Sequence, residues 1–195
     1  WIASGLDGLQ CLHFSKRVTR AVPDGGPIEA HTDLVKKLDY ECELAVVLGK
    51  DVRDVPAGQT RDYIFGYTIL NDVSARDVQT AHKQWYFGKS LDGFTPIGPC
   101  IVTADAFADY PPRLGIRSFV NGEKRQDSNT ALQIFDIDHV VAELSQGMTL
   151  KAGTIIATGT PAGVGMGMDP PQFLKPGDVV RCEIEGIGTL TNPVK

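Results

Sequence analysis

Long apolar runs are missing from this sequence: nothing in its 195 residues approaches the roughly 20 consecutive apolar positions a membrane helix needs. No membrane partner is expected. A basic excess is missing too, with 19 Lys and Arg against 24 Asp and Glu and a net charge of −5. That balance argues against nucleic acid or an anionic membrane surface as a partner. Cysteine is sparse: Cys11, Cys42, Cys100 and Cys182 stand far apart with no C-x-x-C pair. The spacing excludes the common zinc patterns and is unlike a disulfide framework. Reduced, mostly buried thiols suit an intracellular protein, most simply a cytoplasmic one. The chain opens on Trp1 without an initiator Met, so a mitochondrial address stays open.

Two nucleotide signatures are also missing. Phe87-Gly88-Lys89-Ser90 suggests a phosphate loop, but the glycine required five residues before Gly88 is Lys83. The tract Gly163-Val164-Gly165-Met166-Gly167 lacks the third glycine of a dinucleotide fingerprint, and Asp169-Pro170-Pro171 follows where a helix should begin. The strand–helix alternation of a doubly wound sheet is absent. The histidines show no ligand spacing and no obvious carboxylate partner, and no cysteine is given a role.

What remains reads as mainly β with few helices, in a single domain over residues 1–195 whose leading segment is incomplete. Compact apolar runs at 44–48 and 64–70 are bounded by turn residues and predict strands. Asn121-Gly122 tolerates positive φ at both positions and predicts a hairpin after residues 117–120. Further strands are expected at 154–157 and 179–184, then a hairpin through Gly186 and Gly188. Residues 54–61 suggest a short helix or turn introduced by Pro56. The clearest helix runs over 136–145: Ile137, Val140, Val141 and Leu144 repeat at helical spacing, with Asp136 as candidate N-cap and His139 off the apolar face. Residues 1–30 read as loop with at most one short strand.

The chemistry gathers around Glu41-Cys42-Glu43 and Asn71-Asp72-Val73-Ser74-Ala75-Arg76-Asp77. Glu41 and Glu43 project to one face of a strand, where two adjacent carboxylates repel and burial is costly. A hard divalent cation resolves that conflict, and Asp72 at the end of the next strand could supply a third oxygen. Mg²⁺ or Mn²⁺ fits an all-oxygen set better than zinc, with Ca²⁺ able to take the same oxygens in crystals. The plainer alternatives are a solvated edge strand for the glutamates and a turn residue beside a Ser74 cap for Asp72.

The ordered motifs resemble the fumarylacetoacetate hydrolase family. They are Leu38-Asp39-Tyr40-Glu41-Cys42-Glu43-Leu44, Gly66-Tyr67, Asn71 through Gln79, Gly88-Lys89-Ser90-Leu91-Asp92, Ile97-Gly98-Pro99 and Ala157 through Gly165. The resemblance implies a mixed β-sandwich or β-roll, often a homodimer, with Glu41, Glu43 and Asp72 holding the metal. It implies that Lys89 is a catalytic cation beside the metal, and that Arg76, Gln79 and Thr160 bind the substrate. A structural bridge from Arg76 to Asp77 or Asp92 is the competing role for that residue. The implied activity is C–C bond cleavage in 2-oxo or 1,3-dicarbonyl acids, with a small dicarboxylate or 2-oxo acid as partner. The family's N-terminal His and Glu, which activate water, have no recognisable match here. Oxaloacetate-type decarboxylation and isomerisation of a 2-hydroxymuconate-like diacid need no such base and use the same site. A noncatalytic metal-binding relative is the third reading.

Overall fold

The strand Cys42–Leu48, β2, is buried along its whole length, which is why it reads as an unbroken apolar run. In the computed structural model, which describes residues 10–195, β2 lies inside a four-stranded antiparallel sheet. Its neighbours are Ile64–Asn71, β3, and Ile155–Ala157, β8, with Ile97–Thr103, β5, beyond β3. A second antiparallel sheet runs β10–β9–β6–β7, from Gly188–Pro193, Val179–Ile184, Gly115–Val120 and Glu123–Asn129. Leu44, Val46 and Ile69 of the first sheet share one core with Ile116, Val180, Cys182, Ile184 and Leu190 of the second. That is the sandwich expected from the family resemblance. A two-residue ladder joins Leu38–Asp39, β1, to Ser74–Ala75, β4.

Helices are few. Arg76–Ala81, α1, and Tyr86–Lys89, α2, follow β4, and Ile137–Ser145, α3, packs Ile137, Val140 and Val141 into the core. The Asp136 side chain caps α3 by accepting from the His139 amide at 2.8 Å, as its position suggested. The Asn121-Gly122 turn has φ of 53° and 84° and closes the β6–β7 hairpin. Among the described residues no helix is long and apolar enough to cross a membrane.

Some local expectations need correction. Ser74 does not cap α1: the N-cap is Ala75, and the Ser74 hydroxyl donates to the Asp72 carbonyl. The reading of 54–61 as a short helix or turn holds: Gln59 N donates to the Pro56 carbonyl at 3.2 Å, and the 3₁₀ turn Arg61–Tyr63 follows. β5 went unpredicted because Gly98-Pro99 breaks its apolar pattern. Of the leading segment, residues 1–9 lie outside the described residues. From residue 10 to 30 it forms no named strand, only single bridges Val22–Pro96 and Ile28–Val194. Its second half is sewn to the last strand: Asp24 accepts from the Thr191 amide, and the Asn192 amide group donates to the carbonyls of Pro23 and Gly26.

Candidate metal centre

β2 carries Glu43, with Glu41 two residues before it on the same face, and the end of β3 delivers Asp72 beside them. The backbone locks this register: Asp72 N donates to Glu41 O at 2.8 Å, and Glu41 N donates to the Asn71 side-chain oxygen at 3.0 Å. One oxygen from each of Glu41, Glu43 and Asp72 lies within 4.8 Å of the other two, and all three residues are buried. Lys89, 1% exposed at the end of α2, donates to Glu41 Oε2 at 2.8 Å and to Asp72 Oδ2 at 2.7 Å. Gly88 lets α2 approach α1 closely enough for this, since a Cβ there would lie 2.6 Å from the Gln79 amide nitrogen.

The predicted residues thus meet in one cluster, but two of the expected substrate binders are turned inward. Arg76 bridges Asp39 Oδ2 at 2.9 Å and Glu41 Oε1 at 2.5 Å, so the competing bridge is real but its partners are not Asp77 or Asp92. Arg76 Nη2 is buried with no hydrogen-bond partner among the described residues. The Gln79 side-chain oxygen accepts from Arg76 Nη1 at 3.2 Å. The Thr160 hydroxyl, half-buried after β8, donates to the Cys42 carbonyl and accepts from Gln126.

Three contributors went unnoticed in the sequence. Lys16, in a segment without regular structure, donates to Asp72 Oδ1 at 2.5 Å and to the Phe94 carbonyl at 2.6 Å. Asp39, fully buried, accepts from the amides of Tyr40, Gly165 and Met166 as well as from Arg76. It therefore ties the glycine-rich loop to the guanidinium that holds Glu41. Gln126, fully buried, accepts from the Cys42 amide and donates to Thr160 and to the Pro161 carbonyl, fixing that loop to β2. No periodicity marks Lys16. Asp39 and Gln126 stand out only once a strand assignment puts a polar side chain inside.

The electrostatics single out Glu43. Against the upward pull of burial, Lys16 and Lys89 hold the Asp72 carboxyl below its ordinary range. Burial, with Asp72 and Glu41 alongside, pushes the Glu43 carboxyl well above its own. Glu43 makes no ion pair with the described residues and accepts from the Gly159 amide at 2.8 Å. Burial outweighs Asp72 at Lys16 and lowers its pKa, whereas the surrounding carboxylates outweigh burial at Lys89 and raise it. An all-carboxylate donor set with one buried, uncompensated member fits a hard divalent ion. Glu41 and Asp72 would have to share oxygens that now face ammonium and guanidinium groups.

The histidines lie away from this cluster. His82 bonds the Val78 carbonyl and His31 the Asp92 carbonyl. His13 and His139 do have a carboxylate partner after all, Glu143, at 3.2 and 3.4 Å.

Comparison with known proteins identifies the family. The model of the fumarylacetoacetate hydrolase C-terminal domain matches residues 7–195. Oxaloacetate tautomerase YisK of Bacillus subtilis is 45% identical over 181 residues, which are 93% of this chain and 60% of the relative. A solved fumarylacetoacetate hydrolase from Exiguobacterium antarcticum is 52% identical with a TM-score of 0.86, covering 89% of this chain and 62% of that one. A 2-hydroxyhepta-2,4-diene-1,7-dioate isomerase from Mycobacterium marinum is 45% identical with a TM-score of 0.78, covering 88% and 64%. The chain spans about three fifths of the length of the curated relatives it matches. By family model, identity and architecture together, the chain belongs to the fumarylacetoacetate hydrolase family.

Proposed function

We propose that the protein is an enzyme of 2-oxo and 1,3-dicarbonyl acids whose core reaction is proton transfer between keto and enol forms, as tautomerisation or isomerisation. The observation that carries this reading is the pair of lysines, Lys16 and Lys89, set against three convergent buried carboxylates. Glu41, Glu43 and Asp72 would hold Mg²⁺ or Mn²⁺, which would supply Lewis-acid stabilisation of negative charge on a substrate carbonyl oxygen. Lys89, held charged by Glu41 and Asp72, adds fixed positive charge where an enolate oxygen develops. Lys16 is the proton carrier in this scheme, reaching the site from a separate segment. Arg76 Nη2 is the donor left for a substrate carboxylate, while Asp39 fixes its guanidinium. Thr160 and Gln79 shape the surrounding wall. The names of the Bacillus and Mycobacterium relatives support this class of reaction.

Hydrolytic C–C cleavage is the second reading, favoured by the likeness to the Exiguobacterium hydrolase. It shares the enolate and adds attack of water on the neighbouring carbonyl. Decarboxylation would likewise leave an enolate, with loss of CO₂. Proton NMR in D₂O on oxaloacetate, acetylpyruvate and fumarylpyruvate, with Mg²⁺ and then with EDTA, separates these outcomes. We expect Mg²⁺-dependent exchange of the C3 protons above the spontaneous rate, with the carbon skeleton intact. Release of pyruvate with an acid would select hydrolysis, and release with CO₂ would select decarboxylation. Failure to act on all three substrates, or equal rates in EDTA, would sink the metal-enolate reading.

A further inference from the structure

A second group of metal-binding side chains lies where the leading segment crosses α3. Cys11, His13 and Glu143 each offer a ligand atom within 4.8 Å of the others. The Cys11 thiol is 3.8 Å from His13 Nδ1, and His13 Nε2 is 3.2 Å from Glu143 Oε2. His139, one turn before Glu143 on the same face of α3, brings its Nε2 to 3.4 Å from that same oxygen. Its ring is stacked on Phe135 at 4.9 Å between centroids.

We propose that Cys11, His13, His139 and Glu143 form a structural site for a zinc-class ion. The donor chemistry separates it from the carboxylate cluster. Thiolate and imidazole suit a borderline-soft ion, whereas three carboxylates suit Mg²⁺. Cys11, His13 and Glu143 already converge, and His139, 3.4 Å from the Glu143 oxygen, would complete a closed four-ligand site of the structural kind on a small side-chain shift. Two of them lie on α3, a rigid nine-residue helix, and two on a segment without regular structure. The ion would therefore clip that segment to the body of the fold. Ligation by the thiolate would release the Cys11 thiol proton to solvent. Lys16 follows His13 by three residues and bonds Asp72, so the clip would also steady the lysine that reaches the first site. A surface ion pair between Glu143 and two histidines is the competing account. It requires no thiol.

Co²⁺ titration in excess Mg²⁺ tests this, with thiolate-to-cobalt charge-transfer absorption as the readout. We expect one equivalent of Co²⁺ to give the band and Zn²⁺ to abolish it. Cys11→Ser should remove the band and weaken Zn²⁺ binding by more than about 100-fold, since even outer-shell changes cost about 10–100-fold. His139→Gln, an exposed change on a formed helix, should weaken binding while keeping the band. Zn²⁺ should also slow tryptic cleavage at Arg17 and Arg20 in the parent chain and not in Cys11→Ser. Absence of the band, its survival in Cys11→Ser, or unaltered Zn²⁺ affinity in both variants would overturn the site. Tight binding without protection from trypsin would overturn its role as a clip. None of these readouts depends on turnover, so failure here leaves the carboxylate site untouched.

Discussion

Glu43, 3% exposed near the start of β2, accepts from a backbone amide while its neighbours Glu41 and Asp72 engage lysine and arginine. Its raised pKa carries a definite sign. The folded state holds the proton more tightly than the unfolded chain, whose carboxyl titrates near 4.5. Glu43's contribution to stability is therefore full below that value and is lost as pH rises toward the folded pKa. Glu43→Gln should remove this slope, so the metal-free variant should melt at or above the parent at neutral pH by calorimetry. The same change should lower Mg²⁺ affinity by at least about tenfold. In the parent chain Mg²⁺ affinity should rise with pH over the window in which stability falls, because the ion displaces that proton. A variant that melts lower and binds Mg²⁺ as before would show Glu43 to be structural. At this scale the sequence was legible wherever residue type and spacing pointed to one chemistry, as for the three carboxylates. Lys16 was illegible because nothing local places a lysine 56 residues before its partner, Asp72, against that carboxylate.

The short helices α1 and α2 position chemistry through backbone contact rather than through side-chain packing. Gly88 is the point of contact, since a Cβ there would meet Gln79 N at 2.6 Å and Gln79 Cα at 2.8 Å, atoms that cannot rotate away. Helix propensity alone says that Gly88→Ala stabilises α2. The contact says the opposite. Overpacking of this kind costs about 1–3 kcal/mol, and moving α2 carries Lys89 off Glu41 and Asp72. Chemical denaturation should show the loss, and turnover should fall further than stability explains. An unchanged midpoint with full activity would refute the contact argument. The same scale explains which elements could be foreseen. α3 and β2 announce themselves by period and by apolar content. β5 is interrupted by Gly98-Pro99 and leaves three consecutive residues, Pro99, Cys100 and Ile101, exposed, so it offers neither an alternating nor a continuous apolar pattern.

Across the whole molecule, the two sheets enclose one core, and Glu41, Glu43 and Asp72 lie where β2, β3 and α2 converge with the leading segment. The composition foretold strands in quantity but not which sheet each would join, because the partners of β6 and β9 are set by packing between distant segments. The seam between residues 23–26 and the last strand joins positions 166 to 169 apart in the chain. Closing so long a loop is entropically costly and rewarded only after the strands it joins exist. In time rather than in space, the segment that carries Lys16 is expected to be among the last parts of the molecule to settle. Refolding from denaturant should recover the far-ultraviolet β signal before turnover, and Asn192→Ala should lengthen the interval by loosening the seam. Simultaneous recovery of both signals would show that the arm docks without waiting for the final strand. A polypeptide still emerging from the ribosome would, by the same logic, possess its three carboxylates well before it possessed a working site.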